Sequence, residues 1–572
     1  MIVLVAPNSV DRRGGGRHGL VATAHVRLMV VMLIFAAGCM VILGRLAQLA
    51  ISAEPYKAHS ISDAFVPPRG DIVDRNGAPL AQTIDAWSIG VHPRKIIGDK
   101  RQLSEKLAEI MPDHDAGWYW RKLNLDSNFT YLARRALPAT VERVNALGEP
   151  AIALGREPER LYPQSDLAAH VLGFVGADGK GMRGIERAFN DRLTDPDKRG
   201  NPLQLSIDMR VEAAMQSQLA QAMTTFQARA ASGIVMNVHT GEIVAMVSMP
   251  TFNPNNIRHA TDDELRNNVT QSTYELGSTF KPLAMAQAID TGTVTSMARR
   301  FDATKPMKVG RFTIHDDPGD EQERWLNIPE TLIYSSNIAT ARIADLMGED
   351  RMKALFRKLR FDEKPTIELR EKGTPQWPGY WGRTTTMTTA YGHGIAVTPL
   401  QLATAYCALV NGGILREPTL IKDQDGHTEK GTRVFSEATS ARLRQLLRLV
   451  VLDGTGKKGS APGYRVGGKT GTAEMADAGG YAKHRNVSTF AAAFPMDNPQ
   501  YVVMATLVAP VGTKETYGFT TAAWNAAPVV RNTIERAGPL LGVTPNLHRD
   551  IDVSDITPLL WHAPGEDLAS AE

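Results

Sequence analysis

Three short strings place reactive side chains at spacings that suit acyl transfer. Ser278-Thr279-Phe280-Lys281-Pro282 sets a hydroxyl three residues before an amine. Proline is tolerated only in the first turn of a helix. The apolar run of Leu283, Met285, Ala286 and Ile289 therefore predicts a helix that begins at about Ser278. Ser278 then lies near unpaired backbone N–H groups and the positive end of the helix dipole, and Lys281 shares its face. A lysine in a first turn is electrostatically misplaced. The misplacement has a use: positive potential and burial both disfavour the ammonium form, and a neutral lysine beside a serine hydroxyl can act as its base. Alone, the string reads as an N-capping serine followed by a surface lysine.

Two further strings change that reading. Ser335-Ser336-Asn337 precedes the apolar helical run Ile338–Met347, and by itself is an N-cap. Lys469-Thr470-Gly471-Thr472 lies in a strand flanked by Gly467 and Gly468, where the lack of side-chain bulk lets another backbone approach. Together they run Ser-x-x-Lys, Ser-x-Asn, Lys-Thr-Gly, in that order and on those element types. β-Lactamases and penicillin-binding proteins carry such a triplet, with Asp in the middle of the second motif.

The elements that must position these groups read as an α+β domain. Gly233–Val238 and Glu242–Ser248 are two strands joined at His239-Thr240-Gly241. Tyr464–Thr472, Val487–Phe494 and Tyr501–Val508 are three more. Between the two sets the chain is mostly helical, most clearly over Ser436–Leu452, which Gly454 and Gly456 stop. Strands from both ends with helices between them predict a five-stranded antiparallel sheet covered by helices. Upstream, residues 52–205 form an elongated mixed region. It opens with Arg69-Gly70-Asp71-Ile72-Val73-Asp74-Arg75-Asn76-Gly77, in which Asn76-Gly77 is a turn signal. Residues 546–572 show little periodicity and read as a mobile tail.

The chain has 572 residues, 64 Lys+Arg and 61 Asp+Glu, a net charge of +3. Arg12, Arg13, Arg17 and Arg27 stand against Asp11 alone in residues 1–27, so the whole excess lies on that arm and the remainder is balanced. This argues against a general nucleic-acid binder. Residues 28–51 are uncharged apart from Arg45, are rich in Leu, Val, Met and Ile, and suit a single transmembrane anchor, with the basic arm cytoplasmic and the rest exported. A cleaved leader competes with this reading, but its apolar core is usually shorter, about 7–15 residues. Cys39 lies in the span and Cys407 in the exported part, so no intrachain disulfide is expected. Cys407 fits a buried helix. No motif calls for a metal or cofactor.

On these residues the chain resembles a class B penicillin-binding protein, a monofunctional peptidoglycan D,D-transpeptidase. The anchor, the Arg69–Gly77 block and Gly392–Ala405 extend the resemblance over nearly the whole chain. Ala168–Glu186 is similar to the cell-division branch. Leu276 and Ser165 depart from the family pattern, where proline and glycine are usual.

The resemblance implies an arm (1–27), an anchor (28–51), a pedestal (52–205), a transpeptidase domain (206–545) and a tail (546–572). It implies that Ser278 attacks the penultimate D-Ala carbonyl, Lys281 takes its proton and Ser335 relays a proton to the leaving D-Ala. Asn337 would bind substrate and Lys281. Lys469, Thr470, Gly471 and Thr472 would hold the terminal carboxylate, and the backbone N–H groups of Ser278 and Thr472 the oxyanion. No cofactor is implied. The implied setting is the inner membrane with a periplasmic catalytic domain. The implied partners are stem peptides, β-lactams, a polytopic glycan polymerase and other division proteins. Elongation-type transpeptidation and a non-catalytic penicillin-binding scaffold or sensor are the alternatives. The pedestal occupies the place of a glycosyltransferase domain, and the short arm cannot hold a signalling effector.

Overall fold

The computed structural model describes residues 16–52, 68–176, 178–423, 431–477 and 480–561. The start of the arm (1–15), the start of the expected pedestal (53–67) and the end of the expected tail (562–572) lie outside the described residues. The chain divides into two units, Met1–Val66 and Pro67–Glu572. In the first, helix α1 (Gly16–Ser52) contains the apolar window Ala24–Leu46, of mean hydropathy 2.6. Among the described helices it alone has the length and composition to cross a bilayer. Leu33, Phe35 and Met40 on it are exposed.

The second unit begins with a small sheet. Strands β1 (Ile72–Val73) and β2 (Pro79–Val91) are joined by the predicted turn at Asn76-Gly77. There Asp74 Oδ1 accepts from the backbone of Asn76 and Ala78, both at 2.8 Å. Helices α2 (Lys100–Ile110) and α3 (Ala116–Leu123) follow, each started by an aspartate whose carboxylate accepts N-terminal backbone N–H groups. Strand β3 (Thr130–Ala136), helix α4 (Pro138–Asn145) and strand β4 (Ile152–Leu161) complete the layer, with β2 paired to both β3 and β4. Leu103 and Leu107 lie one turn apart on α2 and pack with Ile89, Val91, Tyr119 and Val144 in a separate core. Strand β5 (Leu203–Gln204) runs parallel to β1 and leads into the larger domain.

That domain is built on one antiparallel sheet. Helix α5 (Met209–Phe226) precedes strands β6 (Ala230–Asn237) and β7 (Ile243–Met249). The helices that follow include α6 (Lys281–Asp290), α7 (Asn337–Met347), α8 (Pro399–Val410) and α9 (Glu437–Leu452). Strands β8 (Gly467–Asp477), β9 (Gly480–Phe494) and β10 (Tyr501–Val508) precede helix α10 (Ala526–Ala537). The sheet order is β8-β9-β10-β6-β7, five antiparallel strands as expected.

Strand alternation divides the core in two. Val502 and Met504 of β10 face the layer that holds Leu283, Leu402 and Leu446. Val503, Ala505 and Leu507 face the other layer, with Met215, Leu219, Val530 and Ile534. Cys407 is buried in α8, as its apolar surroundings predict.

Three expectations shift. Strand β8 starts at Gly467 rather than Tyr464, because Arg465 has a left-handed backbone (φ 48°) that no strand accommodates. Strand β9 starts at Gly480 rather than Val487, because Ala473–Asp477 extend the hairpin beyond the motif. The segment expected to be a mobile tail is docked from Asn546 to Trp561. Asp550 pairs with Arg448 at 2.6 Å, Asn327 Nδ2 donates to Leu559 O at 2.6 Å, and Ile556 is buried.

Candidate active site

The nucleophile candidate sits one element earlier than the helix predicted for it. Gly277–Phe280 form a 3₁₀ turn, and α6 starts at Lys281 with Pro282 beside it. Residues three apart eclipse in a 3₁₀ turn, so Ser278 and Lys281 share a face as the spacing predicts. Both are buried. Among the described residues the Ser278 hydroxyl has no hydrogen-bond partner, which leaves its oxygen free for a substrate carbonyl.

Two glycines set the turn against the sheet. Gly277 has φ +55°, and a Cβ there would lie 2.8 Å from Thr472 O. A Cβ on Gly471 would lie 2.3 Å from Leu276 O. The Lys-Thr-Gly strand therefore touches the nucleophile turn backbone to backbone. From the other side, Tyr406 Oη of α8 donates to Thr279 O at 2.9 Å.

Ser335 is the junction of the three motifs. Its backbone is left-handed (φ 56°), unusual for a residue with a Cβ. Ser335 N donates to Leu332 O at 3.2 Å and Ser336 N to Thr331 O at 3.0 Å, which fix the turn. Lys281 Nζ donates to the Ser335 carbonyl and lies 3.1 Å from its Oγ. Lys469 Nζ reaches the same Oγ at 2.8 Å. Among the described residues neither lysine forms an ion pair, and both are fully buried.

Burial pushes the Lys281 amine down to about 8, against the opposing pull of Asp317, Asp316 and Asp320. Burial, with Lys281 close by, holds the Lys469 amine well below the ordinary lysine range. Burial and Asp317 raise the Asp320 carboxyl.

Asn337 does not take the expected partner. Its Nδ2 donates to His315 O at 3.0 Å and to Asp317 Oδ1 at 3.3 Å, rather than engaging Lys281. Asp316 explains this. Its carboxylate accepts from Ser336 Oγ at 3.0 Å and from Ile338 N at 2.9 Å, so the loop from His315 is tied to the start of α7. Thr470 and Thr472 are also engaged. Thr470 Oγ1 lies 2.8 Å from Thr455 Oγ1, and Thr472 Oγ1 accepts from Ala522 N at 3.1 Å. Strand β8 is a sheet edge, so its outer backbone groups can pair with an extended ligand.

Residues 231–534 match the family model described as the penicillin binding protein transpeptidase domain. The chain belongs to the penicillin-binding protein transpeptidase family. Residues 64–198 of this penicillin-binding protein match the model of the family's dimerisation domain. The chain is 39% identical over 485 residues to the probable peptidoglycan D,D-transpeptidase FtsI of Caulobacter vibrioides, covering 83% of this chain and 82% of that protein. It is 30% identical over 523 residues to stage V sporulation protein D of Bacillus subtilis, covering 84% and 79%. The crystal structure of penicillin binding protein 3 from Mycobacterium tuberculosis with aztreonam superposes with a TM-score of 0.65 at 25% identity, covering 84% of this chain and 97% of that one.

In this penicillin-binding protein, sequence reasoning brought Ser278, Lys281, Ser335, Asn337 and Lys469 through Thr472 to one place. It missed Asp316, Thr455 and Tyr406. Tyr406 carried a faint signal, a phenol in a mostly apolar helical run. Asp316 and Thr455 carried none that separates them from loop residues.

Proposed function

We propose that the protein is a serine-type peptidoglycan D,D-transpeptidase of septal wall synthesis, and a β-lactam target. One observation carries the reading: two buried lysines, neither in a direct ion pair among the described residues, meet on the Ser335 hydroxyl beside a free buried serine. A surface lysine would have no reason to be there, and a base would. At pH 7 roughly a tenth of lysines with a pKa near 8 are neutral, against roughly one in 2,500 for an ordinary lysine.

Ser278 Oγ attacks the carbonyl carbon of the penultimate D-Ala, and Lys281 takes its proton. The tetrahedral oxyanion sits between the backbone N–H groups of Ser278 and Thr472; one such donor is typically worth about 10²–10³ in rate. The proton passes by way of Ser335 to the departing D-Ala amine as the C–N bond breaks, leaving an acyl ester on Ser278. An amine from a neighbouring stem peptide then attacks the ester, forms the cross-link and returns the proton to the serine. Lys469 attracts the terminal carboxylate of the donor, with Thr470, Gly471 and Thr472 lining its path. Asn337 binds the substrate backbone. A β-lactam acylates the same oxygen.

The basic arm orients α1 with its N-terminus in the cytoplasm, so the catalytic domain lies in the periplasm. The proposed division is arm 1–27, anchor 28–51, pedestal 52–205, transpeptidase 206–545 and C-terminal segment 546–572. A polytopic glycan polymerase and other division proteins are the proposed partners. The reading is tested with fluorescent penicillin. Wild-type protein should label, and Ser278→Ala should fall to background while remaining folded; labelling of the variant would show that the nucleophile lies elsewhere.

A further inference from the structure

Away from the catalytic residues, a groove of about 430 Å³ opens between the Phe174–Arg187 stretch and the Arg370–Lys372 stretch. Arg183, Arg187, Arg370 and Lys372 line it, and among the described residues Glu371 is the only acidic one that does. None of the four cations forms an ion pair among the described residues. Arg183 makes one bond, to Leu265 O at 3.4 Å. The +3 of the whole chain lies in residues 1–27, so four unpaired cations around one groove are a local excess in a balanced body. Part of the wall is apolar, formed by buried Phe174 and half-exposed Met182.

The groove does not end there. Gln271 lines it and also lines a second groove of about 390 Å³, which contains Arg266, Met475 and the pair Arg229–Asp263 at 3.5 Å. Met475 lies on β8, six positions beyond Lys469. At about 3.3 Å per residue that is roughly 20 Å of strand. The two grooves thus run on from β8, past Arg266, to the cation-rich Arg183–Lys372 end.

We propose that this groove binds carboxylates of the stem peptides on nascent, uncross-linked peptidoglycan, and so holds the strand whose neighbouring stem is presented along β8. The proposal rests on the transpeptidase reading above. Each stem carries a terminal carboxylate and those of its acidic residues, and stems repeat along one glycan chain. Arginine pairs with carboxylates through two parallel N–H donors. Two weak sites on one polymer raise each other's effective concentration without any new contact. A small β-lactam spans only the catalytic end.

The test uses the full-length protein in detergent and glycan strands bearing uncross-linked pentapeptides. The Arg187→Glu, Lys372→Glu double variant should bind these strands about tenfold more weakly, the scale of one lost charge-assisted contact. It should label with fluorescent penicillin at the wild-type rate, which also reports that it is folded. Wild-type protein should lose affinity to a similar extent when the strands' carboxylates are amidated. Equal affinity of variant and wild type for native strands would overturn the proposal, as would wild-type binding that ignores amidation. Penicillin labelling reads the nucleophile separately, so failure of the serine assignment is distinguishable from failure of the groove.

Discussion

Two buried charge clusters in this protein are built on opposite principles. In the pedestal, Glu186 is fully buried between two arginines. Arg69 Nε meets its Oε2 at 2.6 Å and Arg160 Nε its Oε1 at 2.7 Å, while Tyr162 Oη donates to Oε1 at 3.3 Å. In the catalytic domain, Lys281 and Lys469 are just as buried, but they are like charges that share a hydroxyl. Opposite charges desolvated together fix geometry, and removing one leaves the other stranded. Like charges desolvated together push protons off, which is what a base requires. The first cluster joins Arg69, next to β1, to β4 and to the Glu186 region. On the proposed mechanism the second tunes reactivity at the expense of stability.

The largest expected effect comes from removing one lysine. Lys281→Met should lower the rate of acylation by penicillin by about 10²–10⁴, the usual range for a general base. The same change should stabilise the fold. An amine whose pKa falls on folding holds fewer protons in the folded than in the unfolded state between about pH 8 and 10, so wild-type stability rises with pH across that window. Below it the folded state carries the full burden of a buried ammonium, on the order of 3 kcal/mol. At pH 7 the variant is therefore expected to melt higher than wild type while being nearly inactive. A variant that is both inactive and less stable would show that the lysine is structural, and the contrast with the pedestal would fail. Wild-type acylation should also rise with pH and level off above about 8.

The pedestal cluster should respond in the opposite sense. Glu186→Gln leaves Arg69 and Arg160 without their counter-charge and should cost about 3–5 kcal/mol, read by denaturant unfolding. Penicillin acylation of the protein that remains folded should be little changed, because Glu186 touches no catalytic group. Stability unchanged by Glu186→Gln would mean that the arginines find other acceptors, Thr83 and Asn190 being already within reach.

The difference between the clusters also explains what could be read from the sequence. The catalytic triplet was legible because each motif is local: a proline dates the helix start, a short polar run caps a helix, and glycines thin a strand. The sheet was legible because its five strands alternate or run apolar. The partners that hold the motifs were not. Asp316 bonds Ser336 across a loop, Tyr406 reaches Thr279 from another helix, and Thr455 meets Thr470 only after a turn has folded. Glu186 and its arginines are far apart along the chain, and any one of them alone reads as a surface charge. The C-terminal segment looked free because its attachment to Arg448 and Asn327 has no periodicity to announce it.

Glu212 provides the finest test, because it belongs to neither cluster. It lies in the first turn of α5, fully buried. Its Oε2 accepts from Met246 N at 2.7 Å, and its Oε1 has no partner among the described residues. Burial lifts its carboxyl to about 7, against the backbone bond that lowers it. Between about pH 4.5 and 7 the folded state keeps a proton that the unfolded state has released, so stability falls as pH rises through that window and the loss is complete above it. Glu212→Gln keeps the acceptor for Met246 and removes the titration. It should flatten the pH dependence, with a gain of about 3 kcal/mol at pH 8 and only about 1 kcal/mol at pH 5. Urea unfolding at the two pH values reads this directly. The same slope in variant and wild type would place the ionised carboxylate in contact with water or a cation. Glu212 would then resemble the paired pedestal cluster rather than the unpaired lysines.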